Sequence, residues 1–304
     1  MNKIAIIIVL LIQVFFSNAQ ITMQKADGGL LFTENNENVL FYQVEPKNHE
    51  GEYARCNYIH PLWGFDGTVL TEDFPADHLH HRGIFWTWHQ VWIGDLQIGD
   101  PWEIKEFEQE ITEVEFVAQK SGVGIIKTEV EWKSELWKIQ GKKVPYIKEN
   151  ATISIHPQKD NYRKLDFEIS LLAMEENLSI GGSDDVKGYS GFSIRMVLPE
   201  DIFFAGPAGE IEPQNTVVES VGYVNVSGSL LDGNKKGGVV IIDNPENPDY
   251  PQSWILRKQK SMQNAAYPGR DLIPLSASDP LVLKYSLLVY TGFVSDQKIQ
   301  KIIK

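Results

Sequence analysis

Residues 104–132, IKEFEQEITEVEFVAQKSGVGIIKTEVEW, contain two runs in which polar and apolar residues alternate, joined by Lys120-Ser121-Gly122. Alternation with a period of two is typical of β-strands that bury one face. We therefore predict an antiparallel hairpin formed by residues 104–119 and 123–132. A bulge is expected near Glu110, where the alternation is interrupted.

The same period of two recurs along most of the chain, and helical patterning is nearly absent. Further strands are predicted at residues 38–44, 55–59, 84–93, 137–139, 144–155, 165–173, 192–198, 217–226, 238–242 and 281–290. Residues 137–139 and 144–155 are expected to pair as a second hairpin. The predicted helix covers residues 294–303, with Ser295 as its N-cap. This pattern predicts an all-β fold with minimal helix: a large two-sheet antiparallel β-sandwich that forms a single domain over residues 20–304.

The first 19 residues have the features of a signal peptide. Lys3 gives a short positive region, residues 4–16 are apolar, and Ser17-Asn18-Ala19 places small residues at the cleavage position. An uncleaved anchor is the alternative, but the apolar run is short for a membrane span. No later stretch is long and apolar enough to cross a bilayer, so no transmembrane segment is expected after cleavage.

The amino-acid composition limits the cellular compartments and the binding partners that can be expected. Cys56 is the only cysteine, so no intrachain disulfide can form. An exported protein without disulfides suggests the bacterial periplasm or cell surface. Cys56 is expected to be a buried apolar residue rather than a nucleophile. Because 41 acidic residues outnumber 28 basic ones, a nucleic-acid or anionic-membrane partner is not expected.

Residues 77–89, DHLHHRGIFWTWH, concentrate the chemistry of the chain. They contain four of the seven histidines, an arginine and two tryptophans, and three more tryptophans flank them: His78, His80, His81, His89, Arg82, Trp86, Trp88, Trp63, Trp92 and Trp102. Gly83 permits an unusual turn or the close approach of a ligand, and the residues after it suit a strand. Imidazoles transfer protons near neutral pH, arginine binds oxyanions, and indoles stack on sugar rings. Structural hydrogen bonding is the alternative, but a titratable cluster where a loop meets a strand favours a functional site.

Other candidate site residues follow later in the chain. Asp184, in the Gly-rich segment 179–191, is a candidate base or metal ligand, although a solvated turn is the simpler account. Arg195 lies within an apolar predicted strand. An outward-facing position is the simpler interpretation for it, and a pocket-facing one would suit an anionic ligand. The proline-rich segment 242–254 and the irregular stretch after it offer amide, indole, guanidinium and carboxylate groups: Asn244, Trp254, Arg257, Asn264 and Asp271.

Three motifs, in this order, resemble an exported bacterial family described as PmoA-like. They are Asp77-His78-x-His80-His81-Arg82-Gly83, the segment 191–195, and GVVIIDNPxNP at residues 238–248, followed by Trp254 and Arg257. Leu79 stands where the family pattern has proline. The resemblance implies a galactose-mutarotase-like supersandwich, a scaffold used by epimerases, lyases and hydrolases. It also implies a role in a glycan-degrading gene set.

Together, these observations predict a periplasmic carbohydrate-active enzyme, a hydrolase, lyase or epimerase that applies histidine acid–base chemistry to a sugar or oligosaccharide. The catalytic candidates are His78, His80, His81, His89, Arg82 and Asp184. The substrate-binding candidates are Trp86, Trp88, Arg195, Asn244, Trp254, Arg257, Asn264 and Asp271. One alternative is a divalent-metal enzyme with His78, His80 and His89 as ligands. Another is a noncatalytic glycan-binding protein.

Overall fold

The computed structural model describes residues 20–219 and 222–303, so the predicted signal peptide, residues 1–19, lies outside the described residues. In chain order the strands are β1 (Ile21–Ala26), β2 (Gly29–Glu34), β3 (Glu37–Gln43), β4 (Lys47–His49), β5 (Glu52–Arg55), β6 (Tyr58–Leu62), β7 (Ile84–Trp88), β8 (Gln90–Ile93), β9 (Leu96–Gly99), β10 (Glu108–Ala118), β11 (Gly124–Lys133), β12 (Lys138–Ile139), β13 (Lys142–Lys143), β14 (Ile147–Ile155), β15 (Tyr162–Ala173), β16 (Leu178–Gly181), β17 (Ser190–Ile194), β18 (Phe203–Gly206), β19 (Gly209–Glu210), β20 (Val218–Glu219), β21 (Tyr223–Leu231), β22 (Lys235–Asp243), β23 (Ser253–Ile255), β24 (Gln263–Ala266), β25 (Ile273–Pro274) and β26 (Leu281–Thr291). A short 3-10 helix (Asp232–Asn234) precedes β22, and the helix α1 (Asp296–Ile303) follows β26. Within the described ranges, no helix has the length and apolar character needed to cross a membrane.

Two nine-stranded antiparallel sheets form the sandwich. The first sheet has the order β1-β2-β3-β6-β7-β17-β24-β23-β20, and the second has the order β10-β11-β14-β15-β26-β22-β21-β18-β19. Their inner faces pack together: Phe192 of the first sheet lies 4.7 Å from Tyr285 and 5.0 Å from Phe167 of the second, between ring centroids. The predicted all-β sandwich with little helix is therefore confirmed.

The predicted first hairpin is β10–β11, at one edge of the second sheet. Its register is interrupted between Ile111 and Glu113, next to the expected bulge. The first strand begins at Glu108 instead of residue 104. Ile104 and Glu106 adopt positive φ angles of 57° and 50°, which take the backbone out of the extended conformation.

Several predicted boundaries are wrong. Residues 55–59 do not form one strand, because Asn57 has a φ of 58° between β5 and β6. Residues 84–93 are two strands, β7 in the first sheet and β8 in a separate four-stranded sheet. Residues 217–226 are likewise divided between β20 and β21. β12 pairs only with the two-residue β13, whereas β14 pairs with β11 and β15.

The predicted C-terminal helix is present as α1. The Ser295 hydroxyl accepts the Lys298 backbone N–H at 3.2 Å, which is the expected N-cap bond. Val294 and Ile299 are buried in a second apolar cluster, with residues of β21, β22 and β26. The helix therefore covers part of the outer face of the second sheet.

A carboxylate lies buried between the two sheets. Glu149 on β14 accepts the indole N–H groups of Trp86 and Trp132, both at 2.8 Å, and the side-chain amide of Asn57 at 2.7 Å. Burial raises the pKa of Glu149, and these three donors oppose that effect. Because Trp86 belongs to β7, the bonds join the strand that follows the histidine segment to the second sheet.

Candidate functional site

The histidine segment lies where the connection from β6 returns to the first sheet as β7. Gly83 is required there, because a Cβ at this position would lie 2.2 Å from the carbonyl oxygen of Ile59. On the other side, the Arg195 backbone N–H donates to the Gly83 carbonyl at 2.7 Å. The groups that closely approach Gly83 are thus the backbones of Ile59 and Arg195.

The buried guanidinium of Arg195 organises the cluster. Its Nη1 and Nη2 lie 3.1 and 2.9 Å from the two carboxylate oxygens of Asp77, and its Nε donates to Glu72 at 2.6 Å. A bidentate arginine–carboxylate pair fixes both position and orientation. The outward-facing interpretation of Arg195 is wrong. Its carboxylate partners also occupy the donors that an anionic ligand would need.

His81 is a neutral hydrogen-bond donor in this arrangement. Its Nδ1 lies 3.2 Å from Nη1 of Arg195. Arginine can only donate, so Nδ1 accepts and the ring proton resides on Nε2. Burial, reinforced by His80, His78 and Arg195, holds the pKa of His81 far below its ordinary value. His81 therefore does not take up a second proton near neutral pH.

His78 has the opposite arrangement. Its Nδ1 lies 2.7 Å from Oδ2 of Asp77, so Nδ1–H donates and, in the neutral ring, Nε2 holds the lone pair. Its ring stacks on His81 at 4.5 Å, and 43% of the side chain is exposed. Partial burial raises the pKa of Asp77, but hydrogen bonds from Arg195 and His78 outweigh it and lower the pKa to about 2. An ionised carboxylate thus orients a solvent-accessible imidazole.

His80 lies edge-on to both neighbours, with its ring centroid 5.7 Å from that of His78 and 4.5 Å from that of His81. Burial is the main cause that lowers its pKa to about 3, and His78, Arg55 and His89 add to it. Its Nε2 is 3.6 Å from Glu103, too far for a hydrogen bond. His80 is therefore neutral at pH 7.

His89, directly after β7, forms a second histidine–carboxylate pair. Its Nδ1 lies 3.0 Å from Oδ2 of Asp100, and its ring stacks on Trp102 at 5.2 Å. Trp102 also meets His81 edge-on at 6.5 Å. A continuous patch of rings therefore runs from His78 to His89. We call these four histidines and Trp102 the histidine cluster.

Arg82 is directed away from the cluster. It is fully buried, and its guanidinium donates to the carbonyls of Leu79 at 2.6 Å, His81 at 3.0 Å, and Tyr53. It also lies 3.6 Å from the Phe74 ring centroid. These contacts fix the loop backbone, so the prediction that Arg82 stabilises charge on a substrate is wrong.

Trp86, Trp88 and Trp254 belong to the core and have exposures of 2% or less. Trp86 donates to Glu149, and Trp88 donates to the Tyr267 carbonyl at 2.8 Å. β7 is buried along its whole length. The prediction that these three indoles stack on a substrate is wrong, because their ring faces are packed against protein.

Three later candidates are exposed or have partners outside the cluster. Asp184 is exposed and forms an ion pair with Arg270 at 2.7 Å instead of contacting a histidine. Asp271 is exposed. Asn244 lines a cavity on the second sheet, and its side chain accepts the Glu246 backbone N–H at 2.9 Å, as in a solvated turn. Asn244 is therefore not part of one site with the histidines, Asp184 is held by Arg270, and the role of Asp271 stays a prediction.

Asn264 and Arg257 have structural contacts as well. Asn264 is buried and donates to the carbonyls of Ser190 and Phe192 at 2.6 and 2.9 Å, which leaves no ligand-facing role. Arg257 donates to the backbone carbonyls of residues 214 and 215. Its guanidinium also lies 5.7 Å from the ring of Tyr189, which is 5.4 Å from Trp102, so Arg257 borders the cluster.

The described part of the chain contains no group of three or more histidine, cysteine, aspartate or glutamate side chains that could hold a metal ion. The rings of His78 and His80 are perpendicular, and that of His89 lies on Trp102. Nδ1 of both His78 and His89 already has a carboxylate partner. The alternative metal-ligand set therefore lacks the convergence that a tetrahedral site requires.

Sequence analysis missed several members of the site: Glu72, Asp100, Glu103, Tyr189 and the buried Glu149. From the sequence, Trp102 is only a neighbour of the histidine segment. Asp100 and Trp102 come shortly after the histidines, so proximity was a usable signal for them. Glu72 is 123 residues from Arg195, and nothing in the local pattern indicates that pair.

The fold and the site define this protein as an all-β sandwich that carries a histidine–carboxylate cluster on one sheet. The chain belongs to a family of unknown function, DUF6807, whose model matches residues 30–304. The matched range contains the entire histidine cluster. No curated protein matches the chain.

Proposed function

We propose that this protein is a carbohydrate-active enzyme that transfers protons with His78 and His89. The observation that carries the proposal is that each of these imidazoles donates Nδ1–H to a carboxylate, His78 to Asp77 and His89 to Asp100. A carboxylate in this position fixes the tautomer and the orientation of the ring, so that Nε2 is the nitrogen left to exchange a proton. Two such imidazoles on one patch suit a reaction that needs both a base and an acid.

The neutral rings between them have a different role. Because His81 carries its proton on Nε2, it can donate a hydrogen bond to a substrate oxygen that gains negative charge. Its low pKa keeps it neutral while it does so. His80 is neutral for the same reason, and the buried Trp102 stacks on His89 and supports its ring.

This arrangement favours an epimerase or lyase over a hydrolase. Glycoside hydrolases generally use two carboxyl groups, one of which has a raised pKa and acts as the acid. Here the pKa of Asp77 is lowered, and both Asp77 and Asp100 are bound to histidines. The imidazoles are the groups left to move protons at a sugar carbon or hydroxyl.

Two further arguments support sugar chemistry outside the cytoplasm. The resemblance to the PmoA-like family and to galactose-mutarotase-like supersandwiches favours a small sugar or oligosaccharide substrate, by analogy of fold. The predicted signal peptide favours export to the bacterial periplasm or cell surface.

The test is a turnover screen of untagged protein on reducing sugars, neutral glycosides and uronates. Epimerisation is followed by NMR, and elimination by absorbance of the unsaturated product. His78→Gln and His89→Gln should each lower kcat by about 10²- to 10⁴-fold. The matched control is His156→Gln, because His156 lies 2.7 Å from Asp166 on the second sheet, outside the cluster.

Three outcomes would contradict the proposal. Turnover that is unchanged in both cluster variants would remove the two histidines from the mechanism. An equal loss in the His156 control would point to a general effect on folding. Glycan binding that survives in both cluster variants, with no turnover by the wild type, would favour the noncatalytic alternative.

A further inference from the structure

A groove of about 960 Å³ lies on the outer face of the second sheet. Its volume is within the range of small-molecule binding sites. Tyr223, Asn225 and Ser227 are alternate residues of β21 and line it together, since alternate residues of a strand share a face. β18 and the segment that leads into α1 also contribute to the lining. None of the lining residues belongs to the histidine cluster.

Four charged residues line the groove, and only two of them form an ion pair: Asp201, Glu210, Lys236 and Asp296. Lys236 pairs with Asp201, and Asp296 accepts hydrogen bonds from Tyr223 and from Gln300. Glu210 remains without a basic partner among the described residues, but it is exposed and therefore screened by solvent. With three acidic side chains and one basic side chain in its lining, the groove has a formal charge of −2, which favours a neutral molecule over a polyanion.

Two aromatic rings are exposed at the groove. Phe293 is 80% exposed and Phe203 is 43% exposed, and both are lining residues. Large exposed apolar side chains at one concave surface indicate an interaction site more strongly than scattered ones do. Flat rings of this kind bind the C–H faces of sugars.

The lining of the groove also provides hydrogen-bonding groups. The Asn225 side-chain oxygen accepts from the Tyr290 hydroxyl at 2.9 Å, and its amide nitrogen has no acceptor within the described ranges. The Ser227 hydroxyl lies two residues further along the same face. Exposed aromatic rings beside neutral amide and hydroxyl groups match the alternating apolar and polar surface of a neutral glycan.

We propose that this groove binds a neutral polysaccharide chain, at a site separate from the histidine cluster. The site holds the polymer without reacting with it. Because the groove and the cluster are on different sheets, binding at one does not obstruct the other.

The test is affinity gel electrophoresis and titration calorimetry with four neutral polysaccharides: arabinoxylan, galactomannan, laminarin and dextran. Polygalacturonate and chondroitin sulfate serve as charged probes. At least one neutral polymer should bind the wild type, and Phe293→Ala or Phe203→Ala should lower its association constant about tenfold, because each removes a stacking surface. Leu136→Ala removes a side chain that is 51% exposed outside the groove, and it should have no effect. His78→Gln should bind as the wild type does.

The proposal is overturned if no neutral polymer binds, if binding is unchanged in both phenylalanine variants, or if the charged polymers bind more tightly. Loss of binding in His78→Gln would assign the glycan to the histidine cluster instead. Self-association that sedimentation detects in the wild type and not in Phe293→Ala would make the groove an interface between copies. None of these outcomes bears on the turnover measurements that test the catalytic proposal.

Discussion

Each imidazole of the histidine cluster has a different hydrogen-bond partner, and that partner determines which nitrogen carries the proton. Arg195 donates to His81, so His81 must accept at Nδ1. Asp77 accepts from His78, so His78 must donate at the same atom. Two stacked rings thus present opposite properties at Nε2, a donor on His81 and a lone pair on His78. At the scale of residues, the proposed chemistry follows from this asymmetry.

The tautomer of His81 is directly measurable. In long-range ¹H–¹⁵N correlation spectra, His81 should show the neutral form with the proton on Nε2 at every pH between 7 and 4.5. The reason is that burial and the Arg195 guanidinium both oppose a second proton. A His81 ring that titrates above pH 5, or one that carries its proton on Nδ1, would be incompatible with this arrangement.

The buried histidines also make stability depend on pH. Burial lowers the pKa of His80 to about 3 and that of His60 to about 4, whereas unfolded imidazoles protonate near pH 6.5. Below about pH 6.5 the unfolded chain therefore binds more protons, and the free energy of unfolding falls as pH falls. Each histidine contributes a slope of up to about 1.4 kcal/mol per pH unit down to its folded pKa.

Urea denaturation at pH 7, 5.5 and 4.5 measures that slope. His80→Gln and His60→Gln should each make stability less dependent on pH in this window, because each removes one group that differs between the folded and unfolded states. A slope that is the same in both variants as in the wild type would show that these imidazoles are not kept neutral by the fold.

At the scale of elements, Glu149 connects β7, the strand between His81 and His89, to the opposite sheet. Glu149→Gln should lower the free energy of unfolding by about 2–3 kcal/mol, because the new amide group would place N–H donors against the indole N–H groups of Trp86 or Trp132. Glu131→Gln is the control: it lies on the adjacent β11, half-exposed beside Lys133, and should change stability by less than about 1 kcal/mol. Similar losses in the two variants would contradict a special role for the buried carboxylate.

Individual strands show how much of the fold the sequence predicts. The alternation of residues 104–132 was sufficient for β10–β11, since that hairpin lies at a sheet edge and keeps one face polar. For Trp86 and Trp88, the concentration of indoles beside the histidines predicts a substrate-binding role, but β7 is central and buried on both faces. For Arg195, the sequence predicts a strand over residues 192–198 and favours an outward position, but the strand ends at Ile194, so the arginine begins the next loop and enters the cluster. Local patterns indicate strands, but burial depends on where a strand lies in its sheet.

At the scale of the whole molecule, the sandwich separates two surfaces. The histidine cluster belongs to the first sheet and the loops around it, whereas α1 and the groove belong to the outer face of the second sheet. The hydrophobic core between the sheets is continuous and contains residues from both. Changes at one surface should therefore affect the other only if they unfold the core.

Ile299→Ala tests this separation. Ile299 is 2% exposed and packs with Val240, Ile242 and Leu288, so its truncation should lower stability by about 2–4 kcal/mol through the lost contacts and the cavity. Since α1 lies outside both sheets, the loss should appear first as faster hydrogen exchange in α1 and β22, with the ring signals of His78 and His81 unchanged at 25 °C. Gln300→Ala, on the exposed side of the helix, should change exchange little. The outcome that would contradict this separation is a change in the ring signals of the cluster at a temperature where β14 and β15 still resist hydrogen exchange. Such a change would show that the two surfaces are coupled through the core.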